Sequence, residues 1–201
     1  MKHWILTFII LLAPMLRGAD WPIFRGNRGL TGVAAGAVPD KPGLLWKFDA
    51  KEPVRASVVV GDERVYFGAA DGKFYALNLV DGKKLWEFDA KEPIEAPALF
   101  LDGRVFFGNS FGMFFALNAK TGEEIWNERV GRGDFSSSPV CIDGKIYCSA
   151  RAGEFTVIKA SPKYELLGTS QLGEKTHATP AVSNGRMFLR GFEHLYCLEA
   201  K

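Results

Sequence analysis

His177 and His194 are the histidines available for metal binding or proton transfer once the N-terminal apolar segment bearing His3 is set aside. Neither has a carboxylate or cysteine at ligand spacing, so a hydrogen-bonded structural role is expected for both. Ser136, Ser137 and Ser138 form a run of hydroxyls without the G-x-S-x-G setting of a nucleophile elbow and without an identifiable base. They are expected to satisfy backbone groups where a strand begins. Cys141 and Cys148 flank Asp143-Gly144. On paired strands joined by a two-residue turn they sit diagonally, ~7 Å apart at Cα and at the limit of disulfide reach. Buried thiols are expected there instead of a bridge, and Cys197 makes the set odd.

These residues are positioned by a repeat. Trp46-Lys-Phe-Asp-Ala-Lys-Glu-Pro53 recurs as Trp86-Glu-Phe-Asp-Ala-Lys-Glu-Pro93, and Trp126 follows at the same interval of 40 residues. A period near 40 with Gly-rich turns and short β-prone runs marks propeller blades, small sheets that bury their faces only by stacking on neighbours. First strands are expected at 56–60, 96–101, 138–142 and 179–183. The turns after them are Gly61-Asp62, Asp102-Gly103, Asp143-Gly144 and Asn184-Gly185, residue pairs that supply the positive φ of tight hairpins. Second strands follow at 64–68, 104–108, 145–149 and 186–190, and third strands at 74–78, 114–118, 155–159 and 195–199. Their apolar and aromatic runs alternate little, as expected for sheets covered on two faces.

Fourth strands carry the tryptophans, at 85–89 around Trp86 and 125–130 around Trp126, with Leu167 at the Trp position of the third copy. The fourth copy lacks this strand. Residues 44–50 around Trp46 form a fourth strand with no preceding three and are expected to complete the last blade, which removes exposed sheet edges. The fold class is therefore all-β, a propeller of four four-stranded antiparallel blades closed by an N-terminal strand. The blades run about 53–92, 93–133, 134–175 and 176–201 plus 43–52. The alternative closure is half of an eight-bladed ring in a homodimer, with each Trp46 strand completing its partner's last blade.

A hydrophobic share of 47% against 24% charged residues is a globular balance and excludes a disordered chain. Lys2 and His3 precede an apolar run from Trp4 to Leu16, followed by Gly18 and Ala19. This reads as a signal peptide over 1–19, too short to span a bilayer, and implies a periplasmic or secreted protein. No cysteine lies near residue 20, so a lipid anchor is not expected there. Removing Lys2 and Arg17 takes the net charge of +2 to about zero, which leaves no basic patch for nucleic acid.

The segments Ala76-x-Asn78-x-x-Asp81-Gly82-x-x-x-Trp86 and Ala116-x-Asn118-x-x-Thr121-Gly122-x-x-x-Trp126 resemble the tryptophan-docking motif of pyrroloquinoline-quinone-type (PQQ-like) propeller repeats. The resemblance spans 43–201. It implies that Trp46, Trp86 and Trp126 pack between blades against positions such as Ala76, Gly82, Ala116 and Gly122. The third copy departs, with Val157, Lys159, Lys163 and Leu167 in place of Ala, Asn, Gly and Trp, and Cys197 replaces Ala in the fourth. Docking should be looser there. The segment Asp20-Trp-Pro-Ile-Phe-Arg-Gly-Asn27 with Thr31-Gly32 resembles the start of exported bacterial proteins of this class, an extended arm over 20–42.

Relatives in this class include quinoprotein dehydrogenases and the propeller lipoprotein of the outer-membrane β-barrel assembly machinery. The dehydrogenases hold PQQ with an adjacent cysteine pair, a calcium shell and a catalytic Asp. No two cysteines here are adjacent, and no acidic and amide cluster can be assigned as a metal shell. No cofactor, metal or catalytic residue is expected. A non-catalytic scaffold for protein partners of the cell envelope is the expected function, and a quinone-binding or other small-molecule-binding propeller, a remnant of an oxidoreductase, is the alternative. Arg55, Glu95, Ser137 and Ala178, with His177 beside the last, stand at like places before the first strands and form the candidate channel mouth. Arg55 and Glu95 are expected to form a weak ion pair. Phe111 and Phe192 lie in loops and could serve partner binding, although burial between blades is the commoner fate of Phe.

Overall fold

The computed structural model describes residues 20–27, 29–34, 38–131 and 133–199. The signal peptide expected over 1–19 lies outside the described residues. What is described is all-β, four antiparallel sheets with the element order of propeller blades. Blade 1 holds β1 (Val59–Gly61), β2 (Arg64–Gly68), β3 (Lys73–Asn78) and β4 (Lys84–Asp89), paired in that order. Blade 2 holds β5 (Leu99–Leu101), β6 (Arg104–Gly108), β7 (Met113–Asn118) and β8 (Glu124–Arg129). Blade 3 is β9 (Val140–Ile142), β10 (Lys145–Ser149), β11 (Glu154–Lys159) and β12 (Leu166–Gln171), and blade 4 is β13 (Ala181–Ser183), β14 (Arg186–Arg190) and β15 (Leu195–Glu199).

The first strands start later than expected. Pro97, Pro139 and Pro180 have no N–H for a ladder, so pairing begins after them, and Ser57 follows the same path in blade 1. The first hairpin also differs by one residue. Its positive-φ pair is Asp62 and Glu63, at 48° and 59°, and Gly61 closes β1 opposite Arg64. A Cβ on Gly61 would lie 2.4 Å from the Phe100 ring, so this glycine serves blade packing and not the turn. The other three hairpins turn on Asp102-Gly103, Asp143-Gly144 and Asn184-Gly185, as expected.

Blades adhere through aromatic layers. Phe74 of blade 1 stacks on Phe107 of blade 2 with centroids 4.0 Å apart and planes 3° apart, and Phe107 stacks on Phe115. Such a pair contributes about 1 kcal/mol beyond its area burial. A second layer between blades 2 and 3 joins Phe106, Phe114, Phe135 and Ile146, with Ile23 of the N-terminal arm buried among them. The arm also covers strand edges: Trp21 and Val60 exchange two backbone hydrogen bonds, and the Phe100 N–H donates to Pro22 O at 2.7 Å.

Each indole lies on the next blade. Trp86 Nε1 donates to Ala119 O at 3.1 Å above Gly122, and Trp46 Nε1 donates to Leu79 O at 3.1 Å above Gly82. Trp126 donates to Ser161 O at a longer 3.4 Å and meets Tyr164 edge-on, because Lys163 stands where its counterparts have glycine. Ala76 and Ala116 are fully buried opposite Trp86 and Trp126. Between blades 3 and 4, where Leu167 replaces Trp, a gap of about 350 Å³ opens among Phe155, Val157, Val182, Met187 and Leu198. The looser contact expected from the third copy is found here.

Pairing of residues 44–50 with blade 4 is not seen among the described residues. Residues 44–50 are in no sheet, Trp46 and Phe48 rest on blade 1, and blade 4 has three strands. Spacing identifies the segment as a fourth strand but carries no information on which third strand it meets. Closure of the ring is accordingly absent among the described residues.

Candidate functional site: the cleft at the first strands

The four blades present equivalent ends. In each, the loop between the second and third strands donates an N–H to the segment leading into the first strand: Ala70 to Pro53 O, Ser110 to Pro93 O, Arg151 to Asp134 O and Phe192 to Lys175 O, at 2.8–3.2 Å. These bonds fix the loops against the lead-in segments, and the lead-in segments line one cleft together with the N-terminal arm. The cleft encloses about 700 Å³ between Arg55, Glu95, Ser136, His177 and Thr179, with Phe24 of the arm at its side.

Arg55 and Glu95 pair at 2.5 Å, as expected. Glu95 also meets Arg151 at 3.3 Å, and Arg151 reaches Asp134 at 3.1 Å, so two arginines and two carboxylates from three blades form one chain. Partly exposed pairs of this kind stabilise the fold by about 0–1 kcal/mol each. They also tie three blades together at this end. Arg151 and Asp134 were not among the candidate residues. Arg151 sits on a second-to-third strand loop, and only a comparison of loops across blades, not of first strands, would have found it.

The channel-mouth residues separate. Arg55, Glu95, His177 and Ala178 line the cleft, but Ser137 is buried and bonds Ser149, at 2.8 Å to its carbonyl and 2.7 Å to its hydroxyl. Its neighbour Ser136 faces the cleft and holds His177 Nδ1 at 3.0 Å. Alternation along an extended chain explains the exchange, since a shift of one residue turns a side chain to the other face. The Ser138 hydroxyl is buried without a hydrogen-bond partner.

His194 is far from this arrangement in role. Its Nδ1 lies 3.1 Å from Glu174, whose carboxylate also accepts the N–H groups of Glu193 at 2.7 Å and His194 at 3.1 Å. The bond from the Glu193 N–H is the main reason the Glu174 pKa falls below the usual carboxylate range, with the Tyr196 and His194 side chains adding to it. The sequence reading placed no carboxylate near His194. Glu174 is 20 residues away in the chain and is brought to it by the end-loop contact.

Phe111 and Phe192 are both 60% exposed. The Arg129 guanidinium lies over the Phe111 ring at 4.9 Å and also bonds Phe111 O, while Phe192 stands edge-on to His177 at 5.3 Å. Both aromatics are thus held in place while facing solvent. Cys148 is buried, and burial pushes its thiol pKa well up, whereas Cys197 is exposed on β15. Cys141 stands opposite Ile146, which puts Cys148 two residues farther along its strand, the diagonal arrangement expected.

The family described as outer membrane protein assembly factor BamB, of the PQQ-like repeat type, matches residues 37–99 and 94–163. This chain belongs to that family. Comparison with curated protein sequences returned no match. Among solved structures, the BamB-family chain resembles BamB from Moraxella catarrhalis at 20% identity and a TM-score of 0.68, covering 77% of this chain and 49% of that one. It resembles quinohemoprotein alcohol dehydrogenase ADHIIG from Pseudomonas putida HK5 at 15% identity and 0.71, covering 85% and 34%. The computationally designed Ika4 protein matches at 15% and 0.69, covering 80% of this chain and all of the other. At these identities the likeness is one of fold. The chain spans about half the length of the BamB it matches and a third of the dehydrogenase.

Glu95, which lines the cleft, and Asp134 are each engaged by arginine. Cys148 is buried in the core between blades 2 and 3, away from the cleft lining. Among the described residues no three His, Cys, Asp or Glu side chains are grouped to hold a metal, and no helix is long and apolar enough to cross a membrane.

Proposed function

We propose that this chain is an exported, non-catalytic propeller of the cell envelope that presents its cleft end to a protein partner, in the manner of an outer-membrane protein assembly factor. The observation that carries this reading is the pair of exposed aromatics, Phe111 and Phe192, anchored by Arg129 and His177 on the same end of the blades. Anchored aromatics supply apolar contact at low entropic cost, and aromatic residues and Arg are enriched in interface cores. The BamB family match supports the choice of partner class, components of the β-barrel assembly machinery. Export rests on the apolar segment ahead of Asp20, and the reading includes a homodimer as the working unit.

The test is a pulldown from envelope extract with the mature chain as bait, read by mass spectrometry. The wild type is expected to retain β-barrel assembly components, and the Phe111→Ala/Phe192→Ala variant to retain less than a tenth as much. Equal retention by a folded double variant would remove the aromatic surface from the account. The competing reading, a quinone-binding propeller, draws on the dehydrogenase-like fold; quinone absorbance in the purified protein, or calcium-dependent dye reduction, would favour it instead.

A further inference from the structure

We infer that the groove between blades 1 and 2 beside Phe111 takes a large apolar side chain of a partner segment, flanked in that segment by lysine or arginine. This rests on the protein-binding reading above and names the part of the partner that enters.

The groove encloses about 360 Å³ between residues 88–92, which lead out of blade 1, and Phe111, Met113 and Phe115 of blade 2. One of its walls occurs twice in the chain. Residues 48–52 repeat residues 88–92 letter for letter, and Phe48 meets Tyr75 edge-on at 5.5 Å as Phe88 meets Phe115. The opposite walls differ. Phe111, Met113 and Phe115 correspond to Asp71, Lys73 and Tyr75 of blade 1. There the Tyr75 hydroxyl donates to Asp71 at 2.5 Å and Lys73 pairs with Glu87 at 2.7 Å, so the polar groups satisfy one another. In blade 3 the like places hold Ala152, Glu154 and Thr156, with Gln171 donating to Glu154. In blade 4 the middle place is His194, paired with Glu174. Among the four blades, blade 2 alone sets three apolar side chains here.

The backbone compensates for the exchange. Asp71 holds its own turn by accepting the Lys73 N–H at 2.9 Å. Phe111 has no acceptor for this task, and the buried Asn109 takes it over. Its side chain accepts the N–H groups of Phe111 and Met113 and donates to Ala90 O, each at 3.0 Å. The residue at this place in blade 1 is Ala69. Position 111 is thereby released from the turn, and Phe111 stands exposed with the Arg129 guanidinium over its ring. Aromatic residues and Met are enriched in interface cores, and the flexible Met side chain adapts to apolar groups of varied shape.

Charge selects what flanks the entering side chain. Asp89 is taken by Lys91, which leaves Glu92 and Glu124 on the rim. Glu124 stands where blade 1 has Lys84, whose ammonium joins the Glu87 network there. An apolar group with basic neighbours matches both the floor and the rim, and acidic neighbours are repelled.

Beyond residue 19 the chain has two methionines, Met113 in this groove and Met187 at the gap between blades 3 and 4. Isotope-labelled methionine methyls in residues 20–201 therefore report the two places separately by NMR. The probe is a synthetic peptide of two phenylalanines between pairs of lysines. A saturable shift of the Met113 methyl with Met187 unmoved is expected, its affinity falling with salt. Phe111→Ala, and separately Glu92→Gln with Glu124→Gln, should weaken binding by at least about tenfold. A silent Met113 methyl, or a shift at Met187 alone, would overturn the inference, and this wild-type titration stands without the variants. Equal binding of a peptide with glutamates in place of the lysines would overturn the choice of a basic partner segment. The two readings fail separately. Envelope partners retained in the pulldown beside a silent Met113 remove the groove alone, and a Met113 response beside an empty pulldown removes the assembly-factor reading alone.

Discussion

Gly122 shows how single residues hold neighbouring blades together. It adopts a φ of 77°, and a Cβ there would sit 2.7 Å from the Trp86 ring. Gly122→Ala combines backbone strain with displacement of the indole, and a loss of about 2–4 kcal/mol is expected in a urea unfolding curve. An effect below 0.5 kcal/mol would show that the ring is not held there. Tyr66 gives a second test. Its hydroxyl donates to Ala119 O at 3.0 Å in a fully buried site, and burial pushes its pKa up to about 12. The folded state favours the protonated phenol, so this contribution is complete below the ordinary tyrosine pKa near 10 and is lost as pH rises from there through about 12. An absorbance titration should show a slow phenolate step that coincides with alkaline unfolding and comes from the buried Tyr66 and Tyr75, and Tyr66→Phe should reduce its amplitude by one phenol. At the same scale Cys197 should react with a thiol reagent at once and Cys148 only on unfolding, since thiolate character and access govern the rate. The sequence alone located Gly122 and Trp86, because spacing in the repeat aligns them. It did not separate Ser136 from Ser137, whose opposite fates depend on a single step of alternation, and it misread Gly61, which looks like a turn residue and is needed for its closeness to Phe100.

Among the elements, blade 4 is the least secured. Its β13 is exposed throughout, the gap to blade 3 lies where Leu167 replaces Trp, and its loop hangs on Glu174. Amide exchange should therefore be fastest in β13–β15 and slowest in β6 and β7, whose central residues are all buried. Glu174 adds a dependence on pH. Its folded pKa is lowered, so its contribution is present above the ordinary carboxylate pKa and is lost as pH falls through the lower folded value. Exchange at residues 191–194 should accelerate over that acidic range in the wild type, and Glu174→Gln should be fast already at neutral pH with no acidic step. An unchanged profile in the variant would mean that the loop is held by other contacts. Strand order, the second strands and three of four hairpins were legible because Gly with Asp or Asn marks turns between apolar runs. The placement of residues 44–50 was not, since periodicity identifies the type of a strand and leaves its partner open.

For the whole molecule, the described blades form an arc of propeller type with an aromatic-bearing end. The charge chain from Arg55 through Glu95 and Arg151 to Asp134 ties three blades together at that end. Sequence reading found half of this chain because Arg55 and Glu95 lie one repeat apart, 40 residues, while Arg151 comes from a loop in the third copy. The family and fold were legible in the two tryptophan-bearing repeats; the completeness of the ring was not, because it depends on edges that only coordinates display. The mass of the mature chain in solution, from sedimentation equilibrium at micromolar concentration, tests this account most directly. Twice the mass of one chain is predicted, falling to a single chain when residues 44–50 are replaced by a Gly-Ser segment of equal length. A folded wild-type chain that sediments as a monomer would contradict it.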